Sequence, residues 1–219
     1  MPAGASLLSP SQLGGDTFFH ERRLRQQGLL RIAGVDEAGR GPLAGPVTAA
    51  CVILPPDSDF SRWKDSKKLA PARRERLYAE LRASEAFIGV GIASVEEIDL
   101  LNILQASLLA MRRAVETCAN CIEQLPDFLL VDGLFKVPIG LRQLTLVKGE
   151  SKSASIAAAS IVAKVVRDHL MAEYHVQYPQ YNLLQHKGYP TQAHRAAIAE
   201  HGPSPIHRQS FRGVREFCR

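Results

Sequence analysis

The chain has 219 residues, 46% of them hydrophobic and 22% charged, which suits one globular domain with a sizeable core and excludes wholesale disorder. Lys and Arg number 27 against 22 Asp and Glu, so the formal charge of +5 is compatible with a polyanionic partner without requiring one. No stretch approaches the roughly 20 apolar residues that span a bilayer. The start, Met1-Pro2-Ala3-Gly4-Ala5, lacks the features of a secretory signal. A soluble cytoplasmic protein with no membrane partner is therefore expected.

Residues 1–27 are rich in Gly, Ser and Pro, turn basic at Arg22, Arg23 and Arg25, and read as a flexible extension ending in a short helix. Residues 28–219 read as one folded domain. A strand begins near Leu30 and closes on Asp36-Glu37; after a Gly-rich turn a second covers 47–54 and stops at Pro55-Pro56. Pro71 occupies a first-turn position for a helix running to about Arg82. Residues 87–93 form a third strand. Ser94-Val95-Glu96-Glu97 is a capping box, and the apolar periodicity after it predicts one helix to about Cys121. Phe128-Leu129-Leu130-Val131 is a buried strand ending at Asp132; Leu144-Thr145-Leu146-Val147 is another, ending at Lys148-Gly149-Glu150. An Ala-rich helix covers 153–174, and Thr191 caps a last one before His201-Gly202-Pro203. Strands and helices in this mixed order predict an α/β layered domain.

Basic residues gather at 62–76 and again from Arg208 to Arg219, as solvated faces or as a grip on nucleic acid. Cys118-Ala119-Asn120-Cys121 has metal-like spacing, but no second pair completes a zinc shell. None of the seven histidines has zinc spacing with a partner, so they read as surface or structural residues.

Carboxylates sit where buried strands end: Asp36, Glu37, Asp132 and, just after another strand, Glu150. Sites of open α/β sheets collect beyond strand ends. Acids brought together there repel unless a cation neutralises them, and an all-oxygen set favours Mg²⁺ or Mn²⁺. Two such ions about 4 Å apart suit phosphodiester cleavage. The turn Gly39-Arg40-Gly41-Pro42-Leu43-Ala44-Gly45 is not a dinucleotide fingerprint: its spacing is wrong, Pro42 has no N–H, and Asp36-Glu37 would repel a pyrophosphate. It reads instead as backbone that approaches a ligand closely, with Arg40 holding a phosphate.

Val35-Asp36-Glu37-Ala38-Gly39-Arg40-Gly41-Pro42-Leu43-Ala44-Gly45-Pro46-Val47 resembles the opening signature of ribonuclease HII, the type 2 ribonuclease H. Four further stretches agree in order: Asp65-Ser66-Lys67-Lys68-Leu69, Val131-Asp132-Gly133, the run from Ser155 to Asp168, and His186-Lys187-Gly188-Tyr189-Pro190-Thr191. The resemblance implies a ribonuclease H-like fold, a mixed five-stranded sheet flanked by helices with a helical C-terminal part. It also implies metal-dependent cleavage of the RNA strand of RNA–DNA hybrids, and of duplex DNA at single embedded ribonucleotides. Cleavage 5′ of the ribonucleotide would leave a 3′-hydroxyl and a 5′-phosphate. By position, Asp36, Glu37, Asp132 and Glu150 match the family's catalytic and metal-binding acids; the fourth is aspartate in many members. The turn Gly39, Arg40, Gly41 matches the loop that reads the 2′-hydroxyl. Tyr189 matches the tyrosine that packs on the next, deoxy sugar. Lys67, Lys68 and Lys148 read as phosphate contacts, and Asp168 as an ion-pair residue. The protein is expected to act as a monomer, its C-terminal tail offering a contact for DNA or a replication protein. Two other readings stand beside this one: a different nuclease or strand-transferase on the same fold, and a non-catalytic nucleic-acid binding module.

Overall fold

The computed structural model describes residues 17–59, 63 and 69–218. The elements are α1 (Phe19–Gln26), β1 (Ile32–Ala38), β2 (Val47–Ile53), α2 (Pro71–Ala83), β3 (Phe87–Ala93), α3 (Val95–Leu101), α4 (Ile103–Ile122), β4 (Phe128–Asp132), β5 (Gln143–Leu146), α5 (Ala154–Gln177), α6 (Leu183–His186) and α7 (Gln192–His201). The strands form one sheet in the order β3-β2-β1-β4-β5. Neighbours β3, β2 and β1 run antiparallel, whereas β1, β4 and β5 run parallel. This is the mixed five-stranded sheet that the family resemblance implies.

Alternation along the strands divides the core. Val35, Ala49, Cys51, Leu129 and Val131 face α4, packing on Ala110, Ala114 and Cys118. Ala50 and Val52 face the other way, onto the alanines of α5 and onto Leu77 and Leu81 of α2. Small residues let α5 approach closely: a Cβ on Gly34 of β1 would lie 2.0 Å from the Ser155 carbonyl carbon. Thr48 Oγ1 also donates to the Ala163 carbonyl at 2.9 Å, tying β2 to α5. Between Leu43 and Val214, a third cluster joins the turn after β1 to α6, α7 and the C-terminal segment.

Part of the predicted extension is packed rather than loose. Phe18 is buried against the α5 face, and Glu21 accepts from Ser153 Oγ at 2.6 Å and Ser155 N at 3.0 Å at the start of α5. Burial raises the pKa of Glu21. The helix expected from Ser94 to Cys121 is in fact two. Asn102 takes a positive φ of 71° with an extended ψ of 162°, and its Oδ1 accepts from Leu104 and Gln105 N–H to start α4 afresh. The capping box at Ser94 is present in full, and Thr191 caps α7. Helix α6 had no signal of its own in the sequence. No helix among the described residues is long and apolar enough to cross a membrane.

Candidate active site

Strands β1 and β4 are parallel neighbours whose last paired residues are Val35 and Val131. One step further, Asp132 ends β4 beside Asp36, which lies two residues before the end of β1 and still pairs with Ala50 of β2. Period-two alternation puts both on the α5 face, the face of Ile32 and Leu130. Asp36 is 1% exposed, and its Oδ1 accepts from the N–H of Glu37 at 2.7 Å. Asp132 Oδ1 accepts from Gly149 N–H at 2.6 Å. That bond draws the single helical turn Gly149–Ser151, and Glu150 with it, against the end of β4. Lys148, just before it, is exposed and holds a left-handed φ of 55°. Glu37 pairs with Arg40 at 3.2 Å.

These acids are brought to one end of the interior strands β1 and β4 by three separate segments. One oxygen each of Asp36, Asp132 and Glu37 is directed at the N–H of Glu37, the N–H of Gly149 and Arg40 respectively, and among the described residues no three His, Cys, Asp or Glu side chains are gathered about one ion-sized position. The donors themselves suit a hard divalent cation, being all carboxylate with no thiol or imidazole at these strand ends.

The turn after β1 lies against Tyr189. A Cβ on Gly41 would sit 3.7 Å from Tyr189 Cε1, and Leu43 N–H donates to the Gly188 carbonyl at 2.8 Å. Gly39 has φ 101°, and a side chain there would run into Arg167 Nε at 2.2 Å, so glycine is required twice over. The Tyr189 ring is 41% exposed, with Lys164 Nζ and Arg167 Cζ each 6.0 Å from its centroid. Lys164 ion-pairs with Asp168 at 2.6 Å, and Arg74 lies 3.9 Å from the other oxygen, so Asp168 is an ion-pair residue of α5. Lys67 and Lys68 lie outside the described residues.

Behind Tyr189 is a chain of buried histidines. Ser204 N–H donates to His207 Nδ1 at 3.0 Å, which assigns the His207 proton to Nε2. His207 then donates to His194 Nε2 at 3.1 Å, and His194 Nδ1–H donates to the Tyr189 carbonyl at 3.0 Å. Burial pushes both imidazoles down to about 4, so both are neutral at pH 7. Nothing in the spacing of these histidines pointed to this arrangement.

Sequence reading also passed over Arg167 and Arg208, both fully buried. Arg167 donates to the carbonyls of Pro46, Lys187 and Ala44 at 3.2, 3.0 and 3.0 Å. Arg208 donates to those of Gly39, Arg40, Pro42, Gly45 and Pro46. Burial lowers their pKa values to about 10 and about 9, which leaves both charged at neutral pH. The C-terminal basic run is thus not one surface: Arg208 faces inward, whereas Arg212 and Arg215 are exposed.

Residues 33–214 match the ribonuclease HII family. The chain belongs to that family. A ribonuclease HII of Desulfotalea psychrophila is 58% identical over 208 residues, covering 94% of this chain and 92% of the relative. One of Syntrophotalea carbinolica is 54% identical over 210 residues, covering 96% and 98%. Among solved structures, ribonuclease HII of Archaeoglobus fulgidus, determined as a complex with PCNA, is similar at a TM-score of 0.68 and 26% identity, over 84% of this chain and 96% of that one. Membership makes the chain a nuclease of the ribonuclease HII class.

Proposed function

We propose that the chain cleaves the RNA strand of RNA–DNA hybrids, and duplex DNA at single embedded ribonucleotides, 5′ of the ribonucleotide, leaving 3′-hydroxyl and 5′-phosphate ends. The observation that carries this reading is the pair Asp36 and Asp132 on the neighbouring strands β1 and β4, beside a turn that packs on an exposed tyrosine. Asp36, Glu37, Asp132 and Glu150 would hold Mn²⁺ or Mg²⁺, which when bound supplies Lewis acidity and a neutralising charge at the scissile phosphate. Two carboxylates at neighbouring strand ends on a shielded face repel one another, and a cation is the natural relief. Asp132 already accepts a bond from Gly149, which holds the backbone of Glu150 beside the end of β4.

The rest of the site orients substrate. The backbone of Gly39, Arg40 and Gly41 meets the ribose that carries a 2′-hydroxyl, the feature that distinguishes RNA from DNA at one position. Arg40 holds a phosphate once its pairing to Glu37 is exchanged. The Tyr189 face packs against the following sugar, where a hydroxyl would crowd the ring. Lys148, exposed beside Glu150, contacts the phosphate backbone, and Lys67 takes the same role by the family resemblance. The exposed arginines of the tail offer a contact to duplex DNA or a replication protein, and the A. fulgidus relative solved with PCNA supports the second.

The decisive variant is D132N. An amide oxygen still accepts from Gly149 N–H, so the fold of the turn survives while the charge is lost. Hybrid binding is expected to persist and cleavage with Mg²⁺ or Mn²⁺ to fall about a thousandfold, about 4 kcal/mol of activation free energy. Product gels on a duplex carrying one ribonucleotide read this directly, and near-normal turnover would end the assignment. The same gels separate the competing readings. Plain duplex DNA cut as readily would indicate a nuclease of other specificity; salt-sensitive binding with no product would indicate a binding module.

A further inference from the structure

We infer that Arg208 is a positioning residue for substrate discrimination: by holding the carbonyls of residues 39–46 inward, it turns the N–H groups of Arg40 and Gly41 outward to the nucleic acid. The inference rests on the reading of that turn as the part of the site that meets the ribonucleotide.

Arg208 is brought to the turn by backbone pairing. His207 bridges Ala44 in antiparallel fashion, Gly45 N–H donates to the Ile206 carbonyl, and Arg208 N–H to the Leu43 carbonyl, both at 2.8 Å. The guanidinium then sits in a cup of carbonyl oxygens. Nε donates to Gly45 at 3.0 Å, and Nη1 to Arg40 at 3.0 Å and Pro42 at 2.8 Å. Nη2 donates to Gly39 at 2.5 Å, Gly45 at 2.8 Å and Pro46 at 3.3 Å. Burying a charge costs free energy unless its donors find partners. A rigid fork of five donors is, however, the one side chain able to gather this many carbonyls at once.

The consequence follows from peptide geometry. No peptide bond among the described residues is cis, and in a trans peptide the C=O and the next N–H point opposite ways. Drawing in the Gly39 carbonyl turns out the Arg40 N–H; drawing in the Arg40 carbonyl turns out the Gly41 N–H. The next peptide has no N–H because its nitrogen belongs to Pro42. Beyond it, the Leu43 N–H donates to Gly188. The exposed face of the turn is therefore made of two adjacent donors with Arg40 beside them, a surface suited to a hydroxyl or phosphate oxygen. Arg167 braces the far end at Ala44 and Pro46. His207, the neighbour of Arg208, fixes the Tyr189 carbonyl through His194, so consecutive residues support the two halves of the same reader.

The test compares wild type, R208K and R40A on two substrates, a DNA duplex with one ribonucleotide and a uniform RNA–DNA hybrid. Lysine keeps the charge but replaces the fork with one ammonium. R208K is expected to lower kcat/KM on the single-ribonucleotide duplex about thirtyfold and on the uniform hybrid only about threefold. Equal losses on the two substrates, or no loss on either, overturn the inference, because simple destabilisation scales both alike. If R208K does not fold, as judged by circular dichroism, R208Q, whose amide keeps two donors, carries the test with an expected shift in the ratio of about tenfold, and an unchanged ratio overturns the inference. The control separates two failures. If R40A moves the ratio and R208K does not, positioning by Arg208 is wrong and the reading of the turn stands. If wild type does not discriminate, or R40A leaves the ratio unmoved, the reading of the turn itself fails and the inference with it.

Discussion

Replacing Gly34 by alanine should damage both stability and the carboxylate site, although the residue bears no chemistry. Gly34 lies in the middle of β1, where alanine would ordinarily stabilise the strand by about 0.5–1 kcal/mol through backbone entropy. Here the new Cβ would lie 2.0 Å from the Ser155 carbonyl carbon, 2.2 Å from Ile156 N and 2.3 Å from the Ser155 oxygen. Ordinary contact needs about 3.5 Å, so the first turn of α5 must withdraw by roughly 1.5 Å. The obstacle is backbone with no rotamer to yield, which places the cost near the upper end of overpacking, about 3 kcal/mol. The same withdrawal pulls on Gly149, whose N–H reaches Asp132 at 2.6 Å; losing that bond to a charged acceptor adds about 2 kcal/mol. The net loss is about 4 kcal/mol, a large part of the roughly 5–15 kcal/mol that holds a domain together. Urea titration followed by circular dichroism measures it. Gly140→Ala serves as the control, since its Cβ would meet nothing within 4 Å. A Gly34→Ala protein as stable as that control would refute the claim that β1 and α5 are locked backbone to backbone.

Two further outcomes concern the frame around the site. His194 and His207 are held neutral, with pKa values near 4 in the folded chain against 6.5 when unfolded. Between those limits the unfolded chain takes up protons that the folded one refuses, so stability falls as pH drops, by up to about 1.4 kcal/mol per pH unit for each histidine. Urea titrations of wild type and His194→Gln across that interval should give a shallower slope for the variant, and identical slopes would contradict the assignment. Ser94→Ala should cost about 1 kcal/mol, because it removes the oxygen that accepts from Glu97 N–H at 3.2 Å. The loss should stay that small because Arg113 still grips Glu97 at 2.6 Å. A loss of 3 kcal/mol or more by thermal or chemical melting would show α3 to be held mainly by its cap, not by Val95 and Ile98 in the core.

Much of this was written locally. The end of β4 at Asp132, the capping box at Ser94, the proline that opens α2 and the threonine that caps α7 are short-range signals, because each is a contest between a few neighbouring backbone groups; β1 instead runs past Asp36-Glu37 to Ala38, where it still pairs with β2. The break at Asn102 escaped because an asparagine between two apolar-periodic segments reads equally as a solvent-facing helical residue. Only its positive φ distinguishes the two. Arginines such as 167 and 208 escaped for a related reason: in a basic sequence a guanidinium is taken as solvated unless something distant needs its donors.

The amino-acid sequence alone determined the periodicities, the turn chemistry, the family and the set of acidic residues, all of which depend on residues close together along the chain. Tertiary structure alone decided that β1 and β4 are neighbours, so that acids 96 residues apart in sequence end side by side. It also decided that a C-terminal arginine closes around a turn near the start of the fold. Strand order and the burial of a charge are settled by competition among long-range contacts, and no local pattern records which of them prevails.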